Sequence, residues 1–503
     1  MVHHPVRALR NGPAAATVAT RHLLRSTGHV TGVPQPWLRR PAYQDALAAY
    51  RAGDLRRALE LARSAGATGR LLARLVAGEI ALLEEPAPGA PTRPAAAPDG
   101  PDRVLHLVTN ALPETVAGYT VRTQGIAAAQ LAAGHDVHVL SRLGFPVNRG
   151  RLEAARTATV DGVPYHRSVP LRLPLRADVA LRSDVEHASR LVRRLQPTVL
   201  HAHSNHVNAQ VGLALRHRFG IPLVYEVRGF LEETWLSRTG GSPESDFYRL
   251  TRQAETRAMQ AADAVVTLSE SMREAIIGRG VPAERVHLVP NCVDSSWLDA
   301  PAVDPDLAGP FTVGLGSTLN AYEGVDVLIE AVALLREQDT DVRLVVLGSG
   351  PAAADLAELA RSRGLGDAAR FTGRVGRDEL MAAYRGLDVF CLPRRDLPVT
   401  RLVPPIKPVE AMAMGIPVVA SDLPPLRELL VGGGAEDRGL LVRPDDPEAL
   451  AAAVSTLTDA ALRRRLGYAG RHWVRETRSW AAAATTYDAI YHELHLAHRG
   501  ETA

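Results

Sequence analysis

From Arg401 to Asp422 the chain reads RLVPPIKPVEAMAMGIPVVASD. An apolar-periodic helix carries Glu410 and ends at Gly415, and a β-branched run, Pro417-Val418-Val419-Ala420, follows and stops at Ser421-Asp422. Helix, glycine cap and buried strand in that order make one αβ step of a doubly wound parallel sheet. Lys407 and Glu410 are three apart, so they share one helical face near its start. A cation beside a helix N-terminus suits a phosphate, and a carboxylate one turn on can accept a ribose hydroxyl. The competing reading is a solvated Lys–Glu pair on a surface helix.

The same alternation extends in both directions. C-terminal to Pro310, strand-like runs occur at Thr312–Gly316, Arg343–Leu347, Arg370–Thr372, Val389–Leu392, Val418–Ser421 and Leu440–Val442. An earlier series comprises Val104–Val108, Val137–Leu140, Val199–His201, Leu223–Val227, Ala264–Leu268 and Val286–Pro290. Helical patterns separate the runs, which predicts two parallel α/β domains, 103–300 and 310–475, rather than one wide sheet. Asp294 to Gly309, with Pro301 and Pro305, reads as the hinge, and 476–503 as a final helix.

The first hundred residues differ in character. Residues 1–40 carry Arg7, Arg10, Arg21, Arg25, Arg39 and Arg40 and no acid, and lack the continuous apolar core of a secretory signal. A solvated, disordered tail is expected, with contact to an anionic membrane surface as the alternative. Residues 41–85 read as a helical hairpin turning at Gly53-Asp54, similar to one tetratricopeptide helix pair. One pair cannot bury its own apolar face, so docking in cis is expected and a protein partner is the alternative. Residues 86–102 form a Pro/Ala-rich linker.

With 503 residues, 46% hydrophobic and 22% charged, the composition is that of a soluble globular protein of two or three domains. A net charge of +3 does not call for nucleic acid. No run approaches the roughly 18 apolar residues that span a bilayer. Cys292 and Cys391 are too few for a disulfide framework or a thiolate zinc site, which fits a reducing, cytoplasmic setting, peripheral at the inner membrane face if the tail binds there.

In open α/β sheets ligands bind beyond the carboxyl ends of the strands. Val104–Val108 leads to Gly118 at a helix start, where a ligand can approach the backbone or the chain can simply turn. Val199–His201 leads to His203, which has acid/base reach, whereas His201 is expected to be structural. Leu223–Val227 exits through Glu226 and Arg228, a pair that either binds a hydroxylated or anionic group or forms a surface ion pair. Arg343–Leu347 runs into Gly348-Ser349-Gly350-Pro351, whose backbone N–H groups can face an anion. Neither GxxxxGK[ST] nor GxGxxG spacing occurs, so no NTPase or dinucleotide enzyme is indicated. Val389–Leu392 ends at Pro393-Arg394-Arg395; Arg394 and Lys407 make a candidate diphosphate site, and Arg395 is expected in solvent. The carboxylate pairs Asp304/Asp306 and Asp339/Asp341 read as surface turns, so neither a metal nor another cofactor is expected.

These residues together resemble the glycosyltransferase 4 family, retaining enzymes of GT-B fold. The resemblance covers about Arg103 to Leu494 and rests on VLHLVTNALPETVAGYTVRTQGIAAAQLAAGHDVHVLSR, LHAHS, YEVRG, VVTLSESM, LVPNCVD, VVLGSGP, FTGRV and KPVEAMAMGIPVVASD in that order. It implies two facing Rossmann-like domains with a cleft between them, the N-terminal one for an acceptor and the C-terminal one for a nucleotide-diphosphate sugar. It implies that Glu410 binds the donor ribose, that Gly118 lies near the donor phosphates, and that His203 faces the donor sugar. The implied reaction is metal-independent and retains anomeric configuration. The acceptor would be a glycan, a lipid-linked acceptor or a small molecule, in polysaccharide or glycoconjugate biosynthesis.

Two positions depart from the family pattern. The first glutamate of E-x7-E would fall at Leu402, and the phosphate-binding lysine before a glycine is replaced by Glu323-Gly324. Two alternatives therefore stand beside transfer: a GT-B nucleotide-sugar epimerase, and a catalytically degenerate scaffold acting through residues 41–85.

Overall fold

The computed structural model describes residues 14–21, 29–30, 33–34, 41–89, 100–152, 155–303, 310–432 and 437–499. The chain forms two compact units, one comprising Met1–Thr267, Ile276–His287 and Ala484–Ala503, the other Leu268–Ala275 and Leu288–Ala483. The chain thus passes between the units at 267/268, 275/276, 287/288 and 483/484, none of them within the proline-rich hinge expected at 294–309. Asp304 and Asp306, most of the basic tail and most of the Pro/Ala linker lie outside the described residues.

The first unit is built on eight strands: β1 (Arg103–Val108), β2 (Asp136–Ser141), β3 (Thr157–Val160), β4 (Val163–Arg167), β5 (Val199–His203), β6 (Leu223–Glu226), β7 (Ala264–Thr267) and β8 (Val286–Leu288). They lie in the order β8-β7-β6-β5-β1-β2-β4-β3. β1 pairs in parallel with β2 and β5, and β6 with β5 and β7, while β3 pairs antiparallel with β4. β5, β6 and β7 are buried at every residue, as strands covered on both faces must be. The edge hairpin β3–β4, which strand-run reading overlooks, turns through Asp161-Gly162, both with positive φ (46° and 82°). That is the Asp-Gly hairpin signal.

Three helices, Pro41–Arg51, Leu55–Ser64 and Gly66–Glu84, precede the sheet. The expected pair gains a third member because the chain breaks again at Ala65, with Gly66 at φ 75°. Tyr43, Leu47, Leu55, Leu72 and Val76 form one buried cluster with Leu250 and Ala254 of the helix Asp246–Ala261. Gln210 Nε2 donates to the Leu82 carbonyl at 3.1 Å, and the Phe247 amide to the Gly53 carbonyl at 2.9 Å. A Cβ at Gly53 would stand 2.8 Å from Ser245 Oγ and 2.9 Å from the Trp235 ring, so the turn admits only glycine. The segment docks in cis. Within the basic tail, residues 14–21 are helical, and Ala14 is buried with Leu143, Val147 and Leu173. That stretch is not a solvated extension.

The second unit has six strands, β9 (Phe311–Gly316), β10 (Val342–Leu347), β11 (Ala369–Phe371), β12 (Val389–Leu392), β13 (Val418–Ser421) and β14 (Gly439–Val442), ordered β11-β10-β9-β12-β13-β14. All their pairings are parallel. One apolar core runs through the unit, from Val313 and Leu344 to Val418, Leu450 and Val474. The order reverses between β9 and β12, so the topological switch point lies beyond Gly316 and Leu392.

Candidate active site

At the second unit's switch point the loops after β9 and β10 pack backbone to backbone. Gly348 has φ 127°, and a Cβ there would sit 1.9 Å from the Ser317 carbonyl; one at Gly350 would sit 2.4 Å from the Leu319 carbonyl. The Leu319 amide donates to Ser349 O at 3.2 Å, and the Ala352 amide to Leu319 O at 3.0 Å. Both glycines are therefore required by close approach, and Ser349 is carried on an exposed turn ahead of the helix Ala353–Ser362.

Across the switch point, Lys407 opens the helix Lys407–Ala413 with Pro408 behind it. Lys407 Nζ lies 2.9 Å from Glu410 Oε2, the lysine 30% exposed and the glutamate 8%. This is not the fully solvated pair of the competing reading. The carboxylate is buried and held by an ammonium that still reaches solvent.

Arg394 does not join them. Its Nε and Nη2 donate to Glu323 Oε2 and Oε1 at 3.1 and 3.0 Å, and its Nη1 donates to the Val403 carbonyl at 3.0 Å. The expected diphosphate role of Arg394 is therefore replaced by a buried bidentate pair that fixes the loop between β12 and Lys407. The pair also accounts for the unusual Glu323, which is the counter-ion of Arg394. Gly324 follows at φ 69°, where a Cβ would meet the Pro393 carbonyl at 1.8 Å. Arg395 is not free in solvent either, being paired with Asp326 and Asp445. Leu402 closes the short helix Pro398–Leu402, and its carbonyl accepts from Ser269 Oγ at 3.0 Å.

In the first unit the strand register assembles a polar core. His106 on β1 is opposite His201 on β5, and His203 on β5 is opposite Glu226 on β6. Aligned partners in parallel strands, and residues two apart, project from one face. Glu226 is fully buried; its Oε1 accepts from Arg122 Nε at 2.9 Å and Arg228 Nε at 2.6 Å, and its Oε2 accepts from the Tyr487 hydroxyl. Burial alone would raise its carboxyl, but Arg122 and Arg228 hold it well below the usual carboxylate range. Arg228 also donates to the Tyr119 carbonyl at 2.6 Å and to Thr123 Oγ1 at 3.0 Å. Glu226 and Arg228 are thus neither a surface pair nor free to hold an acceptor.

His203 is corrected for the same reason. It is buried, its Nδ1 accepts from Arg228 and its Nε2 lies 2.8 Å from His106 Nδ1, so neither nitrogen is available as an acid or base. Burial first, then the charge of Arg228, depresses its basicity. Gly118 begins the helix Gly118–Ala132 in an exposed position, with nothing within 4 Å of a Cβ placed there. Its backbone does not need glycine.

His106, His201 and His203 bring ring nitrogens within 4.8 Å of one another. The His201 and His203 rings lie face to face, centroids 4.4 Å apart and 12° from parallel. Their in-plane lone pairs therefore run side by side, not toward a common centre, and every ring nitrogen of the three but His201 Nε2 already holds a protein partner, so the set does not fit a metal. Asp341 makes an exposed ion pair with Arg336 at 3.3 Å.

The residues from 117 to 292 match the glycosyl transferase 4-like domain, and those from 310 to 460 match glycosyl transferases group 1. The chain is 30% identical over 336 residues to a D-inositol 3-phosphate glycosyltransferase of Kineococcus radiotolerans, covering 62% of this chain and 74% of that protein. The chain belongs to the group 1, glycosyltransferase 4-like family. It is an enzyme of the glycosyltransferase class. A glycogen synthase of Mycobacterium tuberculosis is 26% identical over 406 residues, which cover 77% of this glycosyltransferase and 94% of that protein. The GT-B fold is shared with sucrose-phosphate synthase of Thermosynechococcus elongatus, at TM-score 0.63 and 23% identity over 78% of this chain and 100% of that one. Anabaena HepE in complex with UDP-glucose matches at TM-score 0.59 and 20% identity, over 77% of this glycosyltransferase and 98% of that chain. Among the described residues no helix is long and apolar enough to cross a membrane.

Proposed function

We propose that this glycosyltransferase moves a sugar from a nucleotide-diphosphate sugar to a hydroxyl acceptor, with retention of configuration and without a metal ion. The observation that carries the reading is the Lys407–Glu410 pair, a half-buried ammonium 2.9 Å from a buried carboxylate at the switch point of the second unit. In this reading Glu410 accepts the ribose hydroxyls, Lys407 neutralises the diphosphate, and the backbone of Ser349 and Gly350 donates to it, the Gly348 amide being bonded to the Gly373 carbonyl at 2.9 Å. Two amides and one ammonium distribute the charge that develops on the leaving diphosphate, the task that a divalent cation performs elsewhere.

Retention then follows from departure and attack on one face of the sugar, the leaving diphosphate oxygen taking the acceptor proton. His203, with both nitrogens engaged, is not asked to act as base. Gly118, exposed at the start of its helix, is the residue of the first unit proposed to contact the donor. Relatives named for polysaccharide, inositol-phosphate and aminosugar chemistry match at similar identity, which supports a hydroxyl acceptor without singling one out.

The scaffold alternative loses its surface, since the apolar face of the 41–84 helices is buried against Leu250 and Ala254. The test is turnover: the purified protein is incubated with UDP-, GDP- and ADP-sugars in EDTA, and release of nucleoside diphosphate is followed with and without hydroxylated acceptors. Acceptor-stimulated release from one donor is expected. Release that begins only on adding Mg²⁺ or Mn²⁺ contradicts the metal-free mechanism.

A further inference from the structure

Within the first unit, the side chains around Glu226 form a circuit of polar contacts, hydrogen-bonded at every link but one. Arg228 donates through Nη2 to His203 Nδ1, and His203 Nε2 is 2.8 Å from His106 Nδ1. His106 Nε2 is 2.8 Å from Gln130 Oε1, and Gln130 Nε2 is 2.8 Å from the Tyr491 hydroxyl. That hydroxyl is 2.8 Å from His201 Nδ1, while His201 Nε2 lies 3.3 Å from Glu226 Oε2 without a hydrogen bond, the one link made by proximity alone. Glu226 Oε1 accepts from Arg228 Nε, which returns the circuit to its start.

The chemistry of two members sets the direction of the rest. A guanidinium can only donate and a carboxylate can only accept. His203 must therefore accept at Nδ1 and carry its proton on Nε2. His106 must then accept at Nδ1 and donate from Nε2 to the Gln130 carbonyl. This turns the Gln130 amide toward Tyr491, whose hydroxyl hydrogen passes to His201 Nδ1. His201 is left with Nε2–H toward Glu226. One proton arrangement satisfies every bond, and all three imidazoles are neutral Nε2–H tautomers.

We propose that Tyr491 and Tyr487 of the final helix, with Gln130, are positioning residues for sugar transfer: Gln130 and Tyr491 link His106 to His201 in this one-way order, Tyr487 donates to Glu226, and together they hold Arg228 in place. Arg228 in turn grips the Tyr119 carbonyl and Thr123 Oγ1 in the first turns of the helix that begins at Gly118, and its amide donates to Ser204 Oγ at 2.9 Å. The last twenty residues of the chain thereby set the strand-end loops of the first unit. Burial, foremost, keeps the rings neutral, with His106 pushed down to about 3, so the order persists across the physiological range. The inference rests on the transfer reading only for its functional half.

Long-range ¹H–¹⁵N correlation spectra of ¹⁵N-histidine-labelled full-length protein test it, with His106, His201 and His203 assigned by single His→Gln variants. Three Nε2–H patterns that do not change between pH 5.5 and 8 are expected. Tyr491→Phe removes one hydroxyl and leaves the ring packed; it should free the His201 tautomer and lower kcat/KM about tenfold or more, while nucleoside diphosphate affinity stays put. Gln130→Glu, an acceptor at both oxygens, should disturb His201 in the same way, which covers a failure of Tyr491→Phe to fold. An Nδ1–H or protonated ring in the wild type overturns the circuit, as do variant spectra identical to the wild type. Altered tautomers with unchanged kcat/KM overturn the positioning role. A wild type with three ordered rings and no transfer from any nucleotide sugar supports the circuit and rejects the transfer reading.

Discussion

Glu323 lies flat against Arg394, its two carboxylate oxygens 3.1 and 3.0 Å from Nε and Nη2 of the guanidinium, and both side chains are nearly closed to solvent. The glutamate occupies the position before Gly324 at which the family pattern has a phosphate-binding lysine. A lysine there would face Arg394 directly. The departure at residue 323 therefore goes with Arg394, whose charge the acid at 323 neutralises.

Breaking a buried pair leaves one charge unpaired, which costs about 3–5 kcal/mol. Glu323→Ala should lose stability of that order in urea denaturation. Glu323→Lys should lose more, and Glu323→Leu combined with Arg394→Met should recover most of it. A Glu323→Lys protein as stable as the wild type would show that the pair is not what holds the loop.

Lys407 and Arg395 offer a second comparison. Both are partly exposed cations near the switch point, but Arg395 is shared between Asp326 and Asp445. Lys407→Ala should weaken UDP, GDP or ADP binding about tenfold or more, as expected for loss of a charged hydrogen bond. Arg395→Ala should change it little. Calorimetric titration gives both numbers, and the opposite ranking places the diphosphate elsewhere.

Glu255 makes stability depend on pH. Burial, then the charge of Glu232, raises its carboxyl from 4.5 to about 7, against donation from the Tyr225 hydroxyl at 2.5 Å and the His206 amide at 2.9 Å. Between 4.5 and 7 the folded chain keeps a proton that the unfolded chain has lost, so stability falls as pH rises through that window and stays reduced above it. Glu255→Gln should flatten the decline and stabilise the protein at pH 8 by on the order of a few kcal/mol. Denaturation curves at several pH values measure this; a variant with the wild-type slope removes Glu255 as its source.

Much of the second unit can be read from its residues, because β-branched runs, glycine caps and prolines at helix starts are local signals. Gly348, Gly350, Lys407 and Glu410 lie at the switch point for that reason. Glu323–Arg394 is not local. The partners are 71 residues apart, and either alone reads as a free charge. The misreading of His203, Glu226 and Arg228 has the same origin. They sit at strand ends, where ligands bind, yet His106 bonds His203 while Arg122 and Tyr487 bond Glu226, all from remote parts of the chain. The i, i+4 tyrosines of the last helix were the one available signal, and they look like ordinary core residues. The hairpin at Asp161-Gly162 was legible and lay outside a search for parallel strands.

The N-terminal helices supply a stability prediction. Leu72 is fully buried in the cluster that includes Leu250 and Ala254. Leu72→Ala should cost about 2–5 kcal/mol. A chain beginning at residue 100 should unfold at lower temperature and expose the helix Asp246–Ala261 to protease. Unchanged melting of that truncated chain would mean the helices only rest on the surface.

The central claim is that an activated sugar's nucleotide and diphosphate are held in the second unit by Lys407, Glu410 and the Ser349–Gly350 backbone without a metal. It is tested most directly by calorimetric titration of UDP-, GDP- and ADP-sugars into wild type and Glu410→Ala in EDTA. The account predicts that one donor binds the wild type and that Glu410→Ala weakens it by about 1.5–3 kcal/mol. Equal affinity in the two proteins, or binding that appears only with Mg²⁺ or Mn²⁺, contradicts it.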